Sequence, residues 1–127
     1  MGHSARRPGH ALLMIRRMQG LHLTADLRGC AAALPAMRDP LALRALCLRS
    51  VAAAGLQPVG ELFHRFPAPG GVTGVVLLAE SHLAVHTWPE LGAVTLDVYV
   101  CNLQTDNSGS AQALLAALET AFAPSAV

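Results

Sequence analysis

The chain has 127 residues, 53% hydrophobic and 13% charged, enough apolar material for one packed domain and too much for a wholly disordered polypeptide. Nine basic against eight acidic side chains leave a net charge of +1, so no strong field recruits nucleic acid or anionic lipid. No apolar run approaches the ~20 residues of a membrane helix. All nine basic residues are arginine, which excludes pyridoxal chemistry and every other mechanism anchored on a lysine imine. Cys30, Cys47 and Cys101 are widely spaced and form no CxxC pair. With no secretory signal, they indicate a reducing, cytoplasmic setting. So apolar and weakly charged a chain is expected to bury part of its surface in an oligomer.

Residues 1–17 carry Arg6, Arg7, Arg16 and Arg17 around a short apolar stretch. They are expected to be a poorly ordered extension, with a single domain over residues 18–127. Leu21, Leu23, Ala25 and Leu27 alternate with His22, Thr24 and Asp26, the pattern of a half-buried strand. Asp39-Pro40 reads as the N-cap and first residue of a helix over 40–54, closed by Gly55. Its expected apolar face is Leu41, Leu43, Ala45, Leu48, Val51 and Ala52. A segment over 58–66 precedes the proline- and glycine-rich loop 67–71. Residues 75–79 form a continuous apolar strand, and 82–88 and 93–101 alternate on either side of the turn Pro89–Gly92. A closing helix is expected over 111–122. The order β-α-β-β-β-β-α points to an α+β two-layer sandwich, an antiparallel sheet with two helices on one face.

Alternation also sorts the chemistry. His82, Ala84, His86 and Trp88 share one face of their strand; Thr95, Asp97, Tyr99 and Cys101 share one face of the next. Paired across the turn, they make a polar sheet surface suited to a pocket or a dimer interface rather than to a helix. Four-residue spacing on a strand separates His82 from His86 by about 13 Å, so no metal site is expected. Gly71-Val72-Thr73-Gly74 is followed by no GK[ST] and is not a phosphate loop. By spacing alone, a strand histidine is more often a satisfied polar residue than a catalyst, and these patterns decide no activity.

The stretch Glu80-Ser81-His82-Leu83-Ala84-Val85-His86-Thr87-Trp88-Pro89-Glu90, with Cys101 at the end of the next strand, resembles the hallmark of the small prokaryotic S-adenosylmethionine decarboxylases. Upstream, Phe63-His64-Arg65-Phe66 and Gly20-Leu21-His22-Leu23 are similar to the family's F-H-x-F segment and its opening strand. The resemblance implies a self-processing enzyme with a covalent pyruvoyl cofactor in place of pyridoxal. Ser81 would attack the Glu80 carbonyl, cut the chain between residues 80 and 81, and become the pyruvoyl group that holds the substrate amine as a Schiff base. It further implies His86 as the processing acid/base, Thr73 as its helper and Cys101 as the proton donor in decarboxylation. Phe66 and Trp88 would hold the adenine and Glu90 the ribose.

The implied reaction is decarboxylation of S-adenosylmethionine, which supplies an aminopropyl donor for spermidine and other polyamines. The implied assembly is a homodimer, or a larger assembly, of processed pairs that meet through the sheet, with each site drawing on both chains. The sequence departs from the family pattern at Leu21, at Thr73, in a longer 67–71 loop and at Asn102, which stands where glycine is usual. Ornithine or arginine is the alternative substrate, with Asp97 or Glu61 meeting the distal cation, and an inactive regulatory paralogue is a third reading.

Overall fold

The computed structural model describes the backbone of residues 12–17 and all of residues 19–127. Strict alternation builds its centre. Leu21, Leu23, Ala25 and Leu27 of β2 (Gly20–Leu27) point into the core. So do Val72, Val76 and Leu78 of β4 (Val72–Leu78), Leu83 and Val85 of β5 (Ser81–Trp88), and Val94, Leu96, Val98 and Val100 of β6 (Ala93–Cys101). Each such leucine or valine contributes about 1.5–3 kcal/mol when fully buried. With β3 (Pro58–Arg65) on one edge and β1 (Leu12–Arg17) on the other, the sheet runs β1-β2-β6-β5-β4-β3, antiparallel throughout.

Two helices, α1 (Pro40–Ala53) and α2 (Ser108–Phe122), pack on one face of this sheet and on each other, giving the expected two-layer α+β architecture. Asp39 caps α1 by accepting the Leu41 N–H at 2.9 Å, Pro40 opens the first turn, and Gly55 follows the helix at φ +78°. Among the described residues, no helix lies on the other sheet face. Among the described residues, no helix is long and apolar enough to cross a membrane.

Several expectations are corrected. Of the segment 1–17, residues 1–11 lie outside those described, but Leu12–Arg17 form β1, which covers the otherwise free backbone edge of β2. In α1 the buried residues are Leu43, Cys47, Ser50 and Val51, whereas Leu41 is 72% exposed. Leucine and alanine surround that helix, so composition could not show which stripe faces the sheet. β4 begins at Val72, three residues earlier than expected, because Gly74 is required in the strand: the Phe63 ring lies where its Cβ would be. α2 begins at Ser108, not residue 111.

The chain end returns to β2. Arg28 donates its N–H to the Ala126 carbonyl at 2.8 Å, and its own carbonyl accepts the Ser125 N–H at 2.9 Å. Thr87 is the buried polar anchor under the open face. Its hydroxyl donates to the Met37 carbonyl at 2.7 Å and accepts the Val72 N–H at 2.9 Å.

Candidate active site

The hairpin between β4 and β5 turns through Ala79 and Glu80, with Leu78 paired to Ser81. Glu80 takes φ +54°, a left-handed conformation that costs a non-glycine residue on the order of 1 kcal/mol. The strain therefore sits at the Glu80–Ser81 junction. Ser81 Oγ accepts the Cys101 N–H at 3.1 Å, and the Cys101 thiol points to Glu80 Oε2 at 3.8 Å. A half-buried thiol, a serine hydroxyl and the carbonyl preceding that serine thus meet at one end of β5 and β6. A cleft of about 200 Å³ opens there, lined by Glu80, Cys101, Gln104, Thr105 and Asn107 among others.

The other predicted residues gather at the far end of β5. Thr73 pairs with His86 across β4 and β5, and Thr73 Oγ1 and His86 Nδ1 share a hydrogen bond of 2.9 Å. A small cavity of about 110 Å³ is lined by Thr73, His86, Trp88, Glu90 and Phe66, with Pro67 and Pro69 as one wall. The 67–71 loop is closed by the Phe66 N–H donating to the Gly71 carbonyl at 2.9 Å, and the His64 ring sits edge-on to Phe66 at 4.7 Å. Phe66 and Trp88 are 49% and 43% exposed, so both rings can be reached from solvent. Beyond Trp88, a broader apolar depression of about 460 Å³ runs along Leu91, Ala93 and Leu27.

One chain therefore brings its expected site residues together as two groups, not one. Ser81 and His86 are five positions apart on the same strand, which is roughly 17 Å of extended backbone. No rotamer closes that gap.

Between the groups lies a hydrogen-bonded cluster that spacing alone did not disclose. Asp97 Oδ1 receives both His22 Nε2 at 2.8 Å and His82 Nε2 at 3.0 Å, and Tyr99 stands beside both rings. His22 and His82 both pair with Tyr99 across β6, so one carboxylate reaches histidines from two strands. Glu61 is likewise engaged: Arg44 Nε and Nη2 both donate to its Oε1, at 3.0 and 2.8 Å. Asp97 and Glu61, the groups offered for the distal cation of ornithine or arginine, thus already have partners.

Sequence reasoning also missed the polar loop behind Cys101. Asn107 donates its side-chain N–H to the Cys101 carbonyl at 2.8 Å, and its backbone N–H donates to Asn102 Oδ1 at 2.7 Å. The only available sign was two asparagines in a short loop, residues that commonly bond to nearby backbone.

A six-stranded antiparallel sheet with both described helices packed on one face and a Glu-Ser bond in a strained hairpin makes this a small two-layer α+β domain. The sequence profile of the S-adenosylmethionine decarboxylase family matches residues 21–126, and the chain belongs to that family. It is similar to relatives named S-adenosylmethionine decarboxylase proenzyme. That of Carboxydothermus hydrogenoformans is 41% identical over 87 residues, 68% of this chain and 66% of the relative. That of Acetivibrio thermocellus is 43% identical over 82 residues, 65% and 64% of the two chains. In both cases the matched stretch spans a little under two thirds of the relative's length. The crystal structure of the adenosylmethionine decarboxylase from Aquifex aeolicus VF5 superposes with a TM-score of 0.75 at 34% identity, covering 87% of this chain and 85% of that one.

Proposed function

We propose that this chain is a self-processing S-adenosylmethionine decarboxylase that supplies decarboxylated S-adenosylmethionine for polyamine synthesis. The observation that carries the reading is the convergence of Ser81 Oγ, the Cys101 amide and thiol, and the strained Glu80 backbone at one hairpin. In self-processing, Ser81 Oγ attacks the Glu80 carbonyl carbon. The Glu80–Ser81 C–N bond breaks, an ester C–O bond forms, and the freed nitrogen gains the hydroxyl proton. Loss of the Ser81 α-proton then expels the Glu80 carboxylate and leaves dehydroalanine at position 81. Water replaces its nitrogen, ammonia leaves, and a pyruvoyl group caps residues 81–127. Cleavage would also release Glu80 from its left-handed backbone conformation.

The residues present fit that group. Ser81 Oγ is held by the Cys101 N–H, and the neighbouring thiol can carry a proton. When formed, the pyruvoyl carbonyl supplies the electron sink that a departing carboxylate requires and that a lysine-free chain cannot take from pyridoxal. Cys101 then holds the proton to be delivered to the substrate α-carbon. Phe66 and Trp88 offer π-faces to an adenine and a sulfonium, and Glu90 offers acceptors to ribose hydroxyls. A short basic amino acid needs none of these three, and Asp97 and Glu61 are already engaged.

His86 serves as processing base in this reading, with Thr73 fixing its ring. Because it lies roughly 17 Å along the strand from Ser81 of its own chain, it acts on the Ser81 of a second copy docked antiparallel over the open sheet face. Two such chains complete two sites. The test is the mass of the C-terminal chain after incubation with S-adenosylmethionine and a mild hydride donor. A chain that starts at position 81, lacks a free amine and carries a substrate- or product-derived adduct is the expected result. A processed chain with no adduct would turn the reading to ornithine or arginine, and an uncut chain would favour the inactive paralogue.

A further inference from the structure

Asn107 occupies the N-cap position of α2, yet its side chain makes no cap hydrogen bond to that helix. It turns back to the sheet and donates to the Cys101 carbonyl at 2.8 Å. Its own N–H is taken by Asn102 Oδ1 at 2.7 Å, and Asn102 Nδ2 donates to Ser108 Oγ at 3.0 Å. The Asn102 N–H is bound in turn by the Gln19 carbonyl beside β2. The start of α2 is capped separately, by Asp106 Oδ1 accepting the Ser108 N–H at 2.9 Å. A good capping residue has therefore been diverted to hold one carbonyl of β6. That residue of β6 carries, on its other two arms, the amide that holds Ser81 Oγ and the thiol that faces Glu80.

We infer that Asn107, braced by Asn102, is a positioning residue for both chemical steps, setting the Cys101 strand end so that its amide meets Ser81 Oγ and its thiol faces the cut. This rests on the roles proposed for Ser81 and Cys101. Asn102 supplies the acceptor that fixes the Asn107 backbone, so the clasp needs both side chains. A glycine there offers no side chain to receive the Asn107 N–H.

Asn107→Asp tests the inference, because it keeps the shape and the capping preference but replaces the donor with a carboxylate facing a carbonyl. Three quantities are read on the full chain: the rate of cleavage at 80/81, the thermal midpoint, and the rate at which iodoacetamide alkylates Cys101. The reagent reports Cys101 selectively, because Cys30 and Cys47 are buried and burial pushes the Cys47 thiol up to about 12. The variant is expected to cleave about tenfold more slowly, with an altered alkylation rate and an unchanged midpoint. Its deficit should shrink toward pH 5, where the introduced carboxyl begins to take up a proton and can donate again. A role confined to helix stability would show no such recovery.

Asp106→Ala is the control. It removes the α2 cap and should lower the midpoint without slowing cleavage in the folded protein. Wild-type cleavage and alkylation rates in a folded Asn107→Asp protein would overturn the inference. Should the wild-type chain remain uncut, the self-processing reading falls. The alkylation rates then decide the clasp alone: a change supports it and no change overturns it.

Discussion

Ser81 and His86 open and nearly close the same strand, and each is held by a different neighbour. Ser81 Oγ accepts the Cys101 N–H at 3.1 Å, whereas His86 Nδ1 shares a 2.9 Å hydrogen bond with Thr73 Oγ1. A β-strand is too stiff to fold its ends together, so a base at His86 cannot serve the serine of its own chain. The open sheet face between them carries Asp97 with its two histidines and Tyr99, flanked by Ala84 and Val75, and no helix among the described residues covers it. A second copy laid on that face would bring opposite ends of two sheets together.

Complementation follows from this arrangement. Chains with Ser81→Ala lack the nucleophile, and chains with His86→Ala lack the base, so each alone is expected to stay whole. Mixed during expression, the His86→Ala chain should be cut by the His86 of its partner, while the Ser81→Ala chain stays uncut. Electrophoresis of the mixture reads this directly. Cleavage restored in neither chain would require the base to come from elsewhere.

The Thr73 hydroxyl is expected to matter through His86 rather than through packing. Thr73→Val keeps the strand-favouring branched shape but removes the hydrogen bond that fixes the ring. Cleavage should slow by about tenfold or more, while Thr73→Ser stays near the wild-type rate. Equal rates for all three would detach Thr73 from processing.

Cys101→Ala separates cleavage from turnover, because the backbone N–H that holds Ser81 Oγ survives the substitution and the thiol does not. Carbon dioxide release per processed chain should fall by about a hundredfold, the scale of one lost acid catalyst. An unchanged release rate would remove the thiol from the reaction.

Much of the fold was readable because its strands obey a period of two. β6 was placed residue for residue, and the open-face set from His82 to Cys101 emerges as alternation sorts it. α1 was placed by Asp39, Pro40 and Gly55, but its buried stripe was not, since leucine and alanine lie on every side. Thr73 lies outside the strand expected over 75–79. It proved to be in β4, because Gly74 admits the Phe63 ring rather than breaking the strand. What no local pattern encodes is pairing at a distance. That Asp97 would receive His22 from β2 and His82 from β5, or that Asn107 would reach back to Cys101, depends on strand order and register.

Thr87 ties the floor of the candidate pocket to the core, and its removal should be felt in stability. Thr87→Val conserves shape but strands the Val72 N–H and the Met37 carbonyl in a buried setting. Two unsatisfied groups cost about 2–4 kcal/mol, which lowers the thermal midpoint by on the order of 10 °C. Calorimetry of the Ser81→Ala background, where every chain is whole, gives the cleanest comparison. A midpoint within two degrees or so of the parent would mean that water replaces both partners.

The strand order makes a last prediction about the cut protein. Cleavage at 80/81 leaves β1 to β4 and α1 on one chain and β5, β6 and α2 on the other. In the sheet, β6 lies against β2 and β5 against β4, so the C-terminal chain is inserted between two strands of the N-terminal one. The Ser125 and Ala126 backbone adds a further clasp on Arg28. Both ladders and both helix contacts must be lost together before the chains part, and the core they share includes Leu23, Val76, Leu83, Val98 and Leu118. Processed chains should therefore co-elute in size-exclusion chromatography at any dilution that native buffer allows. They should separate only in denaturant, at the concentration where the helical circular dichroism is also lost. Separation without loss of that signal would show that the two chains fold as independent units.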